Sequence, residues 1–161
     1  MSELQVKLKA EFWYSRDTGL FVRKARCSRS KAATVSGWLM VNGYVGMCFG
    51  GRQHYAHRLA WLHENGALPP CKIDHLNGSR TDNRIENLRA VSDVLNGQNV
   101  RVAHRDSKTG LLGVTYEPSS GRFMAQLWSN GRRWSARFGT AEAAHQAYLE
   151  KKRQMHPGCT I

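Results

Sequence analysis

Along the first 56 residues, short apolar runs alternate with turn signals, Asp17-Thr18-Gly19, Asn42-Gly43 and Gly50-Gly51, of the kind that close tight hairpins. The pattern predicts a β-rich N-terminal layer, with strands over residues 38–41, 44–49 and 52–56. The last of these runs into His57-Arg58-Leu59-Ala60-Trp61-Leu62-His63, which reads as a short helix. Asn65-Gly66 ends that helix, and Pro69-Pro70 bars it from restarting.

Residues 72–99 have a different rhythm. An apolar stretch ends at Asp74-His75, a long polar loop follows, apolar spacing returns over 88–91, and a short helix after Ser92 carries Asn96. Such a β-β-α unit would bring Asp74 and Asn96 to one point. Residues 100–108 form a polar connector bearing Arg101, His104, Arg105 and Lys108. Three more strands are predicted over 112–116, 123–128 and 132–138, with Asn130-Gly131 as the turn between the last two. Thr140 is placed to cap a helix running to about Met155, Glu142 suits its first turn, and Pro157-Gly158 stop it. The expected fold class is α+β: a β-rich front, a β-β-α core, then a three-stranded antiparallel sheet packed on one helix. The expected domains are 1–99 with its core at 72–99, a basic linker at 100–109, and a second domain at 110–158.

Charge narrows the partners. Lys and Arg number 24 against 12 Asp and Glu, a formal net charge of +12 that calls for a polyanion. A mean hydropathy of −0.53, with no apolar run near the roughly 20 residues of a spanning helix, argues against a membrane. The charges scattered from Glu3 to Lys9 leave no apolar signal core, so the chain reads as intracellular. Cys27, Cys48, Cys71 and Cys159 include no Cys-x-x-Cys pair, and no structural zinc is expected.

The motif Ile73-Asp74-His75-Leu76-Asn77-Gly78, with His57-Arg58-Leu59-Ala60-Trp61 before it and Asp82-Asn83-Arg84-Ile85-Glu86-Asn87-Leu88-Arg89, Asn96 and Asn99 after it, resembles the HNH or His-metal finger endonucleases, in their phage-type and homing-type branch. The resemblance implies hydrolysis of double-stranded DNA. His75 would be the general base, since a neutral imidazole can take a proton from water near pH 7. Asp74 and Asn96 would ligate one divalent ion, Mg²⁺ foremost and Mn²⁺ as the alternative, because carboxylate and amide oxygens suit a hard cation. Asn99 lies three residues on along the same helical face and competes with Asn96, which the resemblance favours. Asn87 would hold the loop that bears His75 through side-chain to backbone bonds. His57 and Arg58 would either buttress the site, with Arg58 touching phosphate, or simply pack. The expected products are a 5′-phosphate and a 3′-hydroxyl; a monomer would nick, and a double-strand break would need a homodimer or two visits. A cytoplasmic place in a bacterial host follows from the phage likeness.

Leu111 to Tyr116, Gly121 to Leu127 and Phe138 to Tyr148 resemble the three-stranded domain of plant ethylene-response factors, which implies a sheet face that enters the major groove. Period-2 alternation turns Phe123, Ala125 and Leu127 toward the helix and leaves Arg122, Gln126 and Trp128 on the other face, with Arg132 and Trp134 expected to join them. Arg101 and Arg105, together with Arg23, Lys24, Arg26, Arg29, Lys31 and Lys108, would extend a phosphate track. The same scaffold without cutting would serve a DNA-binding regulator, against which the complete set Asp74, His75, Asn87 and Asn96 argues, or a phage packaging or structural protein, which would bind without metal-dependent cleavage.

Overall fold

The protein is described by a computed structural model covering residues 2–25 and 31–161, so Arg26, Cys27 and Arg29 lie outside the described residues. It is an α+β chain of small antiparallel sheets and helices in two compact units, Met1–Ser92 and Asp93–Ile161.

The first unit begins with a helix that the sequence pattern hides. Apolar residues at Leu4, Val6, Leu8 and Ala10 alternate as in a strand, yet Glu3–Glu11 is helix α1. Its residues are strong helix formers, Ser2 caps it by accepting from the Gln5 amide, and only Gln5 and Leu8 are buried. Strands β1 (Phe12–Tyr14), β2 (Phe21–Arg23) and β3 (Val35–Ser36) make one sheet; β4 (Trp38–Leu39), β5 (Val45–Phe49) and β6 (Arg52–Tyr55) make a second. Helix α2 (Ala56–Asn65) stops at Gly66 and packs along α1, where Gln5 Nε2 donates to the His63 carbonyl at 2.7 Å. Strand β7 (Lys72–His75) and β8 (Leu88–Val91) pair antiparallel, joined by a polar loop and one 3₁₀ turn, Ile85–Asn87. Leu8, Phe12, Phe21, Met47, Leu59 and Ile73 belong to one continuous core. The turn between β1 and β2 reaches the β7–β8 loop: Gly19 has φ 69°, and a Cβ there would lie 2.5 Å from the Arg84 amide nitrogen. Only glycine allows that approach.

In the second unit, α3 (Asp93–Gln98) precedes a sheet of β9 (Val114–Glu117), β10 (Arg122–Ser129) and β11 (Arg132–Phe138), ordered β11-β10-β9, and helix α4 (Ala141–Met155) covers one face. The Thr140 hydroxyl accepts from the Ala143 amide at 3.2 Å, capping α4. Val114, Ala125, Leu127, Ala144 and Tyr148 form the core beneath it. One expectation is corrected. The two-residue turn at Asn130-Gly131 pairs Ser129 with Arg132 and Leu127 with Trp134, so Trp134 lies on the helix-covered side with Leu127 and packs on that core. Arg132 shares its side of the sheet. The open face instead pairs Trp128 with Arg133, Gln126 with Ser135 and Met124 with Arg137. Among the described residues no helix is long and apolar enough to cross a membrane.

Candidate functional site

Strand β7 sends alternate side chains to opposite sides, which separates the two neighbours at its end. His75 turns inward with Ile73 and is buried; Asp74 turns outward opposite Arg89, its cross-strand partner. The His75 ring lies edge-on to His57, with centroids 5.1 Å apart and planes at 75°, and 5.9 Å from Tyr44. His57 stacks on Tyr55 at 5.4 Å, and the Arg80 guanidinium sits 5.0 Å above the Tyr44 ring while donating to the Asn42 carbonyl at 2.8 Å. His75 Nε2 is 3.4 Å from Asn83 Oδ1. The Asn83 amide group donates to the Thr81 carbonyl at 3.2 Å, which turns its oxygen toward the imidazole and leaves the His75 lone pair on Nδ1.

Burial holds both imidazoles neutral. It is the first cause that lowers His57 to about 3, followed by the charges of His75 and Arg58. His75 is also lowered, again by burial first, with Asn83, Asp74 and Asp82 acting in the opposite sense. His57 Nδ1 is buried with no hydrogen-bond partner among the described residues.

One side chain closes the loop between β7 and β8. Asn87, buried at the end of the 3₁₀ turn, accepts from the Asn77 amide at 2.9 Å and donates to the Asp82 carbonyl at 2.8 Å. Asp82 in turn accepts from Arg84 Nε at 2.8 Å and Asn77 Nδ2 at 2.7 Å, and the Arg84 bond is the main reason its carboxyl is held at about 2. Tyr14 donates its hydroxyl to the Asn83 carbonyl at 2.8 Å, so the first sheet also fixes this loop.

On the outward side, Arg89 Nε and one guanidinium nitrogen reach Asp74 Oδ2 at 3.1 and 2.9 Å. A carboxylate is the oxygen donor that a hard metal ion takes, and here an ion would share Asp74 with Arg89 or displace it. Among the described residues no three His, Cys, Asp or Glu side chains converge, so these residue types build no closed cage. Asn96 lies on α3 in the second unit and is half-buried. Asn99 is buried, and its Oδ1 accepts from the Thr160 hydroxyl.

The proposed DNA contacts divide by placement. Arg122, Gln126 and exposed Trp128 lie on the open sheet face, where Arg133 donates to Gln126 Oε1 at 3.0 Å and Arg137 grips Glu117 at 2.6 and 3.1 Å. Arg105 is exposed, 3.8 Å from Asp106, and Arg58 is half-buried on α2. Arg101 donates to the Thr160 carbonyl at 2.7 Å and to its hydroxyl. Sequence reasoning assigned no role to Tyr44, Asn83, Arg133 or Arg137. The hairpin length was a signal for the last two; nothing local marks Tyr44.

Residues 54–98 match the model of a family described as HNH endonuclease. No curated protein matches the chain. A solved structure of "DNA binding and cleavage by the HNH homing endonuclease I-HmuI" aligns at 19% identity over 94% of this chain and 92% of that chain, with a TM-score of 0.43. The stretch that holds Asp74, His75, Asn87 and Asn96 is therefore the part of the chain that is similar to HNH endonucleases.

Proposed function

We propose that this chain is a metal-dependent DNA endonuclease that hydrolyses phosphodiester bonds, nicks one strand per active site, and leaves a 5′-phosphate and a 3′-hydroxyl. The observation that carries the reading is His75, a buried imidazole kept neutral at a strand end and next in sequence to Asp74, within the stretch similar to HNH endonucleases. His75 takes a proton from water through Nδ1, the nitrogen left with a lone pair when Nε2 faces Asn83. Asn87 holds the loop at residues 77 and 82, and thereby the segment that carries Asn83. Asp74 and Asn96 are the residues that would hold one divalent ion, Mg²⁺ or Mn²⁺; bound there, it supplies positive charge to the scissile phosphate and the departing oxygen. Residues 110–158 hold the duplex through the open sheet face, with Arg122, Gln126, Trp128, Arg133 and Arg137 against the groove and phosphates. Arg58 and Arg105 add phosphate contacts.

The test is cleavage of supercoiled plasmid by the wild-type chain and His75→Ala, in Mg²⁺ or in EDTA. Metal-dependent open circles that vanish in His75→Ala support the reading. Equal cutting by both removes His75 as the base, and tight binding without cutting by the wild type replaces the nuclease with a DNA-binding regulator or anchor.

A further inference from the structure

Helix α3 spans six residues, far below the ~12–15 that an isolated helix needs to hold its own shape. Its support comes from a segment some 60 residues later. Gln98, buried, accepts from the Gly158 amide at 2.9 Å through Oε1. Asn99, also buried, accepts from the Thr160 hydroxyl, and Arg101 donates to the Thr160 carbonyl at 2.7 Å. The buried Lys152 of α4 donates its ammonium to the Val100 carbonyl. The approach is tight: a Cβ on Gly158 would lie 2.6 Å from the Leu95 carbonyl oxygen and 3.0 Å from Gln98 Oε1. Residues 98–101 are thus clamped just after Asn96. Asn96 itself makes no side-chain hydrogen bond among the described residues.

We infer that Gly158, Thr160 and Lys152 are positioning residues for the metal-ligating helix: they hold Gln98, Asn99 and Val100 and so fix the backbone that carries Asn96. The inference rests on the reading of Asn96 as a metal ligand. It also separates the two asparagines, because the Asn99 oxygen is engaged by Thr160 while that of Asn96 is the one left to the ion. All three act through residues 98–101. A ligand carried on a held backbone has less freedom to lose when the ion arrives, so weakening the clamp should weaken metal binding before it weakens DNA binding.

The experiment uses the full chain and four variants, Thr160→Val, Thr160→Ser, Gly158→Ala and Asn96→Ala. Mn²⁺ affinity is read by electron paramagnetic resonance, duplex affinity is measured in EDTA, and plasmid nicking is followed against Mg²⁺ concentration. Thr160→Val removes the hydroxyl and keeps the shape; it should weaken Mn²⁺ binding and raise the Mg²⁺ requirement on the order of 10-fold, the lower end for groups that orient a ligand. Duplex affinity should stay within about two-fold, and Thr160→Ser should restore wild-type values. Gly158→Ala should act in the same direction if it folds, and Thr160→Val decides the matter if it does not. Unchanged Mn²⁺ affinity in Thr160→Val overturns the inference, whether or not stability and activity fall with it. Asn96→Ala separates the two levels: if it binds Mn²⁺ and cuts like the wild type, the ligand reading has failed and takes the clamp's purpose with it, whereas a weakened Asn96→Ala beside an unaffected Thr160→Val sinks the clamp alone.

Discussion

Replacing Asn87 with alanine removes two hydrogen bonds from a buried side chain to loop backbone, at 2.9 Å from the Asn77 amide and 2.8 Å to the Asp82 carbonyl. The backbone bonds Leu76 amide to Asn87 carbonyl and Asn87 amide to Arg84 carbonyl survive, so the 3₁₀ turn stays. Each lost bond is worth about 0.5–1.5 kcal/mol net, and a backbone group left dry costs about 1–3 kcal/mol. Asn77 is exposed, so water can replace its partner; the half-buried Asp82 side of the staple is less easily rehydrated. The sum is about 2–4 kcal/mol, a large share of the ~5–15 kcal/mol that holds a domain folded. With a slope of about 2 kcal/mol per molar urea, the unfolding midpoint should fall by roughly 1–2 M. Tryptophan fluorescence in urea reads the midpoint, and hydrogen exchange at the Asn77 amide reads the bond itself. Asn87→Asp is the sharper comparison: it keeps an acceptor for Asn77 but sets a carboxylate oxygen against the Asp82 carbonyl. A midpoint shift worth less than about 0.5 kcal/mol in Asn87→Ala, or an Asn77 amide that stays protected, refutes the reasoning.

Acid should weaken the fold in two stages. The unfolded chain protonates His57 near 6.5 and the folded chain only near 3, so stability is full above pH 6.5 and is lost as pH falls toward 3, with the lowered His75 adding in the same sense. Asp82, held at about 2, adds a second loss below its ordinary 3.8. A urea midpoint that is flat between pH 7 and pH 4 contradicts this. On the second unit, Trp128→Ala should weaken duplex binding while moving stability by less than about 0.5 kcal/mol, since the residue is 61% exposed. Trp134→Ala should do the reverse, costing about 2 kcal/mol of stability because its ring packs on the sheet–helix core. The opposite ranking in a binding and unfolding comparison sinks the register-based assignment of the open face.

Much of this was written locally in the chain. The α2 stop at Gly66, the Thr140 cap and the paired strands around Asn130-Gly131 follow from turn and cap chemistry, which needs only neighbours. Helix α1 escaped because its apolar residues alternate, and tertiary contact through Gln5 and Leu8 outweighed that pattern. The side of Trp134 was legible in the two-residue turn, since counting back from the Ser129–Arg132 pair sets it against Leu127. The aromatic wall around His75 was not legible, because Tyr44 and His57 meet it through space from the segment before β5 and from helix α2. Arg101 illustrates the same limit: in sequence it is one cation of a basic connector, and in the structure it is tied to Thr160.

The wall of rings around His75 also serves the spectroscopist. Protons held near the faces and edges of aromatic rings resonate away from their usual positions, and His75 has the Tyr44 ring at 5.9 Å and the His57 ring at 5.1 Å. Its imidazole signals should therefore stand apart from those of the other six histidines without any added label. They would report, residue by residue, when nucleic acid or a cation disturbs the geometry around this ring.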